Sequence, residues 1–254
     1  MDINKKKMVF VALNDVLIKS ANHPPKGIWD MQVNMELVNQ LARLNPLAIL
    51  IVENETTVGA TMHPSLYNAK FMYVLAVLQE ATGHGTFVAG QYCGAADEDT
   101  ILKTALPRST MLEAMYQEFL TQSRIDVEKS ELVMIGCNDV HVQTADNIGC
   151  DYVDCNQLIG MELPEPMYKL VDVETNAVVI DPDNQAILEN LPKEFALHRA
   201  KQLNLGQPDP RVAVVPNLWT APKPLEHKHF EVDMSKLKGK KKKVAMGIVK
   251  GGKQ

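Results

Sequence analysis

The sequence predicts an α/β fold: a Rossmann-like three-layer sandwich around a mostly parallel five-stranded sheet, followed by a proline-rich C-terminal extension. Three observations carry this expectation. Short, nearly all-apolar runs recur through the first 155 residues, stretches with helical periodicity separate them, and prolines break the alternation after residue 160. Strands that are apolar at every position suit a parallel sheet covered on both faces by helices.

Residues 8–13 (MVFVAL) are the first strand, because a continuous apolar run of this length fits a fully buried strand. The first helix is expected over 34–44, where Met35, Leu37, Val38, Leu41 and Leu44 recur at helical spacing and Asn34 is placed to cap. A second strand follows at 47–52 (LAILIV), then a helix over 66–82 that ends at Gly83. The third strand is 86–90 (TFVAG), and a Ser/Thr pair opens a helix over 109–120. The fourth strand is 131–136 (ELVMIG), followed by a short helix at 140–148 and a fifth strand at 150–155 (CDYVDC). In such sheets ligands sit beyond the carboxyl ends of the strands, near the point where strand order reverses. Functional residues are therefore expected just after each strand.

The alternation stops near residue 160. Prolines at 164, 166, 182, 192, 208, 210, 216, 222 and 224 punctuate short segments. Residues 183–204 read as one helical stretch that Pro192 interrupts or restarts, and 211–216 (RVAVVP) reads as a strand. The expected organisation is a core domain over 1–160, an extension over 161–230 packing on it, and a lysine-rich tail over 231–254. No internal repeat is visible.

Composition narrows the setting. Hydrophobic residues make up 46% and charged residues 22%, which is ordinary for a globular chain. No apolar run is long enough to span a membrane. Lysines 5–7 and the apolar run behind them imitate a signal peptide, but Asn14 and Asp15 interrupt it and no small-residue cleavage site follows. The cysteines, at 93, 137, 150 and 155, are too few and too late for a disulfide framework. A reduced, cytoplasmic setting is expected. The net charge of -5 hides an asymmetry: residues 231–254 hold eight lysines against Glu231 and Asp233, a net +6, which leaves -11 on residues 1–230.

Several local motifs, in order, resemble the haloacid dehalogenase-like (HAD) phosphatases, closest to the branch of histidinol-phosphate, heptose-bisphosphate and polynucleotide 3'-phosphatases. The resemblance covers roughly residues 7–156. The family's "DxDGV(L)" after the first strand is met by Ala12-Leu13-Asn14-Asp15-Val16-Leu17, and its "(V)TNQ" after the second by Val52-Glu53-Asn54-Glu55. Its "YCPH" and "CRKPxPGMLLEA" segments find counterparts in Gln91-Tyr92-Cys93-Gly94 and in "ILKTALPRSTMLEAM" at 101–115. The most specific stretch is 136–150 (GCNDVHVQTADNIGC), which aligns without a gap to "GDxxxDxxAAxNAGC".

The resemblance implies a phosphatase site, and the residues at its positions deny the chemistry. In the family the first aspartate attacks phosphorus and the second moves the proton, while acids after the fourth strand hold Mg²⁺. Here the nucleophile position is Ala12 and the acid/base position Asn14. The phosphoryl-binding Ser/Thr position is Glu53, beside Asn54, and the metal-binding acids correspond to Cys137 and His141. Lys103 keeps the position of the family's phosphate-binding lysine. Asp15 lies one residue past the second aspartate, and Asp139 two past the lost metal-site acid. Cys137, His141 and neighbouring carboxylates are chemically able to ligate Zn²⁺, but a small buried thiol and a solvated first-turn histidine are the reading adopted, with no metal assigned.

The leading expectation is thus a catalytically inactive HAD-like protein without cofactor, acting as a binding or scaffolding protein on a macromolecular partner, protein or nucleic acid, and not on a membrane. The degenerate pocket is one candidate surface. The other is Lys236, Lys238, Lys240, Lys241, Lys242, Lys243, Lys250 and Lys253; such a run neutralises phosphates without reading sequence. The rivals are a divergent Mg²⁺-dependent phosphatase or nucleotidase working through Asp15, Asp139 and Lys103, and a structural subunit of a larger assembly.

Overall fold

The computed structural model describes residues 1–20, 31–55, 58, 62–94, 105–207 and 209–218. Lys103 and every lysine of the 231–254 tail lie outside the described residues.

Strands β1 (Met8–Ala12), β4 (Ala48–Asn54), β5 (Phe87–Cys93), β6 (Leu132–Gly136) and β7 (Asp151–Asp154) form one five-stranded sheet in the order β5-β4-β1-β6-β7. Every pairing in it is parallel. The flanking helices are α1 (Met35–Leu44), α2 (Pro64–Thr82), α3 (Thr110–Ser123), α4 (Asp139–Ile148) and α5 (Cys155–Gly160). β1 is central and all five of its residues are buried, as its unbroken apolar run requires. Its neighbours are β4 on one side and β6 on the other, so strand order reverses here and a crevice opens at its carboxyl end.

Local chemistry starts and stops the helices where the sequence says. The Asn34 side chain accepts the Leu37 N–H and opens α1. Pro64 occupies the first turn of α2, where its missing N–H costs nothing. The Asn138 side chain accepts the His141 N–H at the start of α4, and Gly149 ends that helix in the left-handed region.

Beyond the sheet, β8 (Tyr168–Asp172) and β9 (Val212–Pro216) pair antiparallel beside α6 (Lys193–Leu203). Leu170, Leu188, Ala196 and Ala200 form a second small core there. The helix expected over 183–204 begins only at Lys193, behind Pro192. The residues before Pro192 turn instead. The N–H of Gln185, itself at φ 61°, donates to the Asp181 carbonyl, and Ile180 bridges Ile187.

That turn is a copy of one nine residues earlier, a repeat the sequence reading missed. Asn176 N–H donates to the Asp172 carbonyl at 2.8 Å, as Gln185 N–H does to Asp181. The Asp172 and Asp181 carboxylates each accept the N–H two residues on. Asn176 and Gln185 both adopt positive φ. The side-chain types differ enough to hide the repeat in the letters. Short β-elements β2 (Ile18–Ser20) and β3 (Met31–Val33), paired antiparallel, were also unanticipated.

The small unit meets the sheet domain at the amino end of β5, where the backbone and ring nitrogens of His84 both engage the Glu189 carboxylate. This is the end opposite the crevice. Among the described residues, no helix is long and apolar enough to cross a membrane.

Candidate functional site at the strand-end crevice

The crevice is built from the residues that follow β1, β4 and β6. β1 and β4 pair in register as far as Ala12 and Val52, which sets the next residue of β4, Glu53, beside the chain leaving β1. Its carboxylate is held by three backbone donors: Leu13 N–H at 3.1 Å and Asn14 N–H at 2.7 Å on Oε2, and Asn54 N–H at 2.9 Å on Oε1. Burial pushes the Glu53 carboxyl up to about 7, against the three N–H groups that favour its charged form, with Glu55 adding to the rise.

Asn14 is bonded on both edges of its amide. Its Nδ2 donates to Glu55 Oε2 at 3.1 Å, and its Oδ1 accepts from Lys70 Nζ at 2.7 Å. Lys70 comes from α2 and, like Glu55, is only 2% exposed. Its ammonium also lies 5.2 Å from the centroid of the Tyr67 ring. Burial pulls the lysine's pKa down, while Glu55, Glu53 and Asp15 oppose that shift.

Lys70 was missed by the sequence reading, although a signal exists. Tyr67, Phe71, Val74, Val77, Leu78 and Ala81 are the buried face of α2, and position 70 falls on that stripe. A lysine on the core side of an otherwise apolar face needs a partner, and the strand end it meets supplies one in Asn14.

The other expected residues divide. Asn54 turns away from the crevice and clamps the backbone of Leu106, donating to its carbonyl at 2.9 Å and accepting its N–H at 2.8 Å. Asp15 is exposed in the left-handed region, φ 61°, closing a tight turn by its N–H to the Ile18 carbonyl. It is close enough to act electrostatically on Lys70 and on Cys137. Asp139 is exposed at the start of α4. His141 does not face the crevice as a ligand: it is buried, and its Nδ1 accepts the Cys137 N–H at 3.2 Å. Burial lowers its pKa. The Cys137 thiol is pushed up to about 11 by burial and by Cys155, Asp15, Asp154 and Glu53, so it stays protonated.

This donor set does not suit Mg²⁺, which takes hard oxygen ligands. Ala12 offers none, and the Glu53 carboxylate is committed to three N–H groups. Cys137 is a thiol, and the Nδ1 of His141 is engaged. Among the described residues, no three His, Cys, Asp or Glu side chains come together as a metal site.

No family model matches the sequence, and no curated protein matches it. Among solved structures, the chain is similar to a D,D-heptose 1,7-bisphosphate phosphatase from B. bronchiseptica, solved with magnesium and phosphate. Identity is 16% and the TM-score 0.44, over 63% of this chain and 89% of that one. It is also similar to a protein described as a HAD-like phosphatase from Mesorhizobium loti, at 16% identity and a TM-score of 0.42, over 57% of this chain and 69% of that one. The chain is similar in structure to phosphatases of the HAD-like type.

Proposed function

We propose that this chain is a catalytically inactive protein of HAD-like fold that acts by binding, holding nucleic acid through its lysine-rich end. The carrying observation is the Glu53 carboxylate on the N–H groups of Leu13, Asn14 and Asn54. A phosphate ester entering the crevice meets a buried carboxyl group already seated on the donors it needs. Next to it, Ala12 has no atom to attack phosphorus. Loss of a covalent nucleophile alone costs about a millionfold in rate in a well-studied hydrolase, ~8 kcal/mol of barrier.

The binding half of the proposal rests on charge. The net +6 of residues 231–254 against -11 on the rest favours polyanions at the tail and repels them from the body. Residues 235–254 hold no aromatic side chain, so contact is with phosphates rather than with stacked bases.

Hydrolysis of an aryl phosphate by the full chain, with Mg²⁺ and then Mn²⁺, tests the inactive reading. No turnover above a protein-free control is expected. Turnover abolished by Asp15→Ala overturns it.

A further inference from the structure

We infer that Asn14 and Lys70 join in an intramolecular isopeptide bond, with Glu55 moving the proton. The Asn14 amide holds the amine on one side and the carboxylate on the other. Lys70 Nζ lies 2.7 Å from the carbonyl oxygen of the Asn14 amide, and Glu55 Oε2 lies 3.1 Å from the amide nitrogen that would leave. The orientation of the amide is fixed by these partners: its oxygen faces the lysine, a donor, and its nitrogen faces the carboxylate, an acceptor. Lys70 and Glu55 are each 2% exposed and Asn14 is half-buried, which limits the approach of water, the competing nucleophile.

The chemistry balances without a further reagent. The neutral amine attacks Cγ of Asn14, forming the new C–N bond. Glu55 takes the proton released from Nζ and passes it to Nδ2, the Cγ–Nδ2 bond breaks, and ammonia departs. An amine is a nucleophile only when unprotonated, and desolvation is one of the recognised ways to make it so. Burial of Lys70 works in that direction, and the nearby Glu55, Glu53 and Asp15 work against it. Tyr67 adds a donor to the same pocket: its hydroxyl is fully buried and without a hydrogen-bond partner among the described residues. The product ties the end of β1 covalently to α2 across 56 positions of sequence. The inference stands apart from the binding function proposed above, since it needs neither a phosphate nor the tail.

The mass of the intact full chain decides it. The wild-type protein is expected lighter than its sequence by one ammonia, about 17 Da, with a tryptic species joining residues 8–19 to residues 44–103 through Asn14 and Lys70. Lys70→Met is expected at its full sequence mass, and Glu55→Gln likewise. A wild-type chain that keeps its full mass after prolonged incubation overturns the inference. So does ammonia loss without the linked species, or a Glu55→Gln chain that links as fully as wild type.

Discussion

The His141 side chain lies against the backbone of Gly136, so closely that a Cβ placed on Gly136 would meet the His141 Cβ first and come within 2.7 Å of its Cγ and Nδ1. The first turn of α4 folds back over the end of β6, and the ring accepts the Cys137 N–H from there. A glycine at the last position of β6 is what lets this happen. Gly136→Ala is expected to destabilise by about 1–3 kcal/mol, the usual cost of forcing extra volume into a packed site. His141→Gly in the same chain, which takes away the Cβ along with the ring, should recover part of the loss. Urea unfolding of the single and double variants measures both; strictly additive losses would show that the ring and Gly136 are not coupled.

Glu53 makes stability depend on pH in a definite sense. Its folded pKa is raised to about 7 from an ordinary 4.5, so between these values the folded state holds a proton that the unfolded chain has released. Stability from this group is complete below 4.5 and is lost as pH rises through about 7. Glu55, which holds the Asn14 side chain nearby, adds to the rise of the Glu53 pKa. Urea midpoints of wild type and Glu53→Gln across this range should show the wild type falling relative to the variant as pH rises. Parallel curves would mean that Glu53 keeps the same charge throughout.

Asn54 is the strut between β4 and the segment before α3. Asn54→Ala leaves both backbone groups of Leu106 without their partner, at a cost of about 1–3 kcal/mol. Faster amide exchange at Leu106, with β1 and β6 unchanged, is the expected signature. Protection at Leu106 equal to that of wild type would show the clamp to be dispensable.

The lysines of residues 231–254 should dominate polyanion binding. Affinity of the full chain for a random DNA duplex is expected to fall steeply with salt, and the slope to flatten once the chain is ended at residue 230. Fluorescence anisotropy at several ionic strengths gives both slopes. An unchanged slope would move the contact to the body of the protein.

Much of the architecture follows from the letters, because burial on two faces leaves little choice. A strand such as MVFVAL suits a parallel sheet covered on both faces, and Asn34 opens its helix, and Gly83 and Gly149 close theirs, by local bonding that needs no distant partner. The same holds for the absent chemistry at position 12, since an alanine side chain has no lone pair in any fold. The letters were a poorer guide after residue 160. There the turns at 172 and 181 depend on positive φ at Asn176 and Gln185, and neither residue type demands that conformation.

Tertiary structure alone decided what the altered residues do. Glu53 reads in sequence as an anion where a phosphate belongs. Only the parallel register of β1 and β4 turns it onto the Leu13 and Asn14 N–H groups. His141 reads in sequence as a solvated first-turn side chain, and packing makes it a buried brace for the end of β6. Lys70 lies 56 positions from Asn14, and no local pattern predicts their meeting. The reason is physical: periodicity reports which face of an element is buried, but which buried polar groups satisfy one another is settled by how the elements pack.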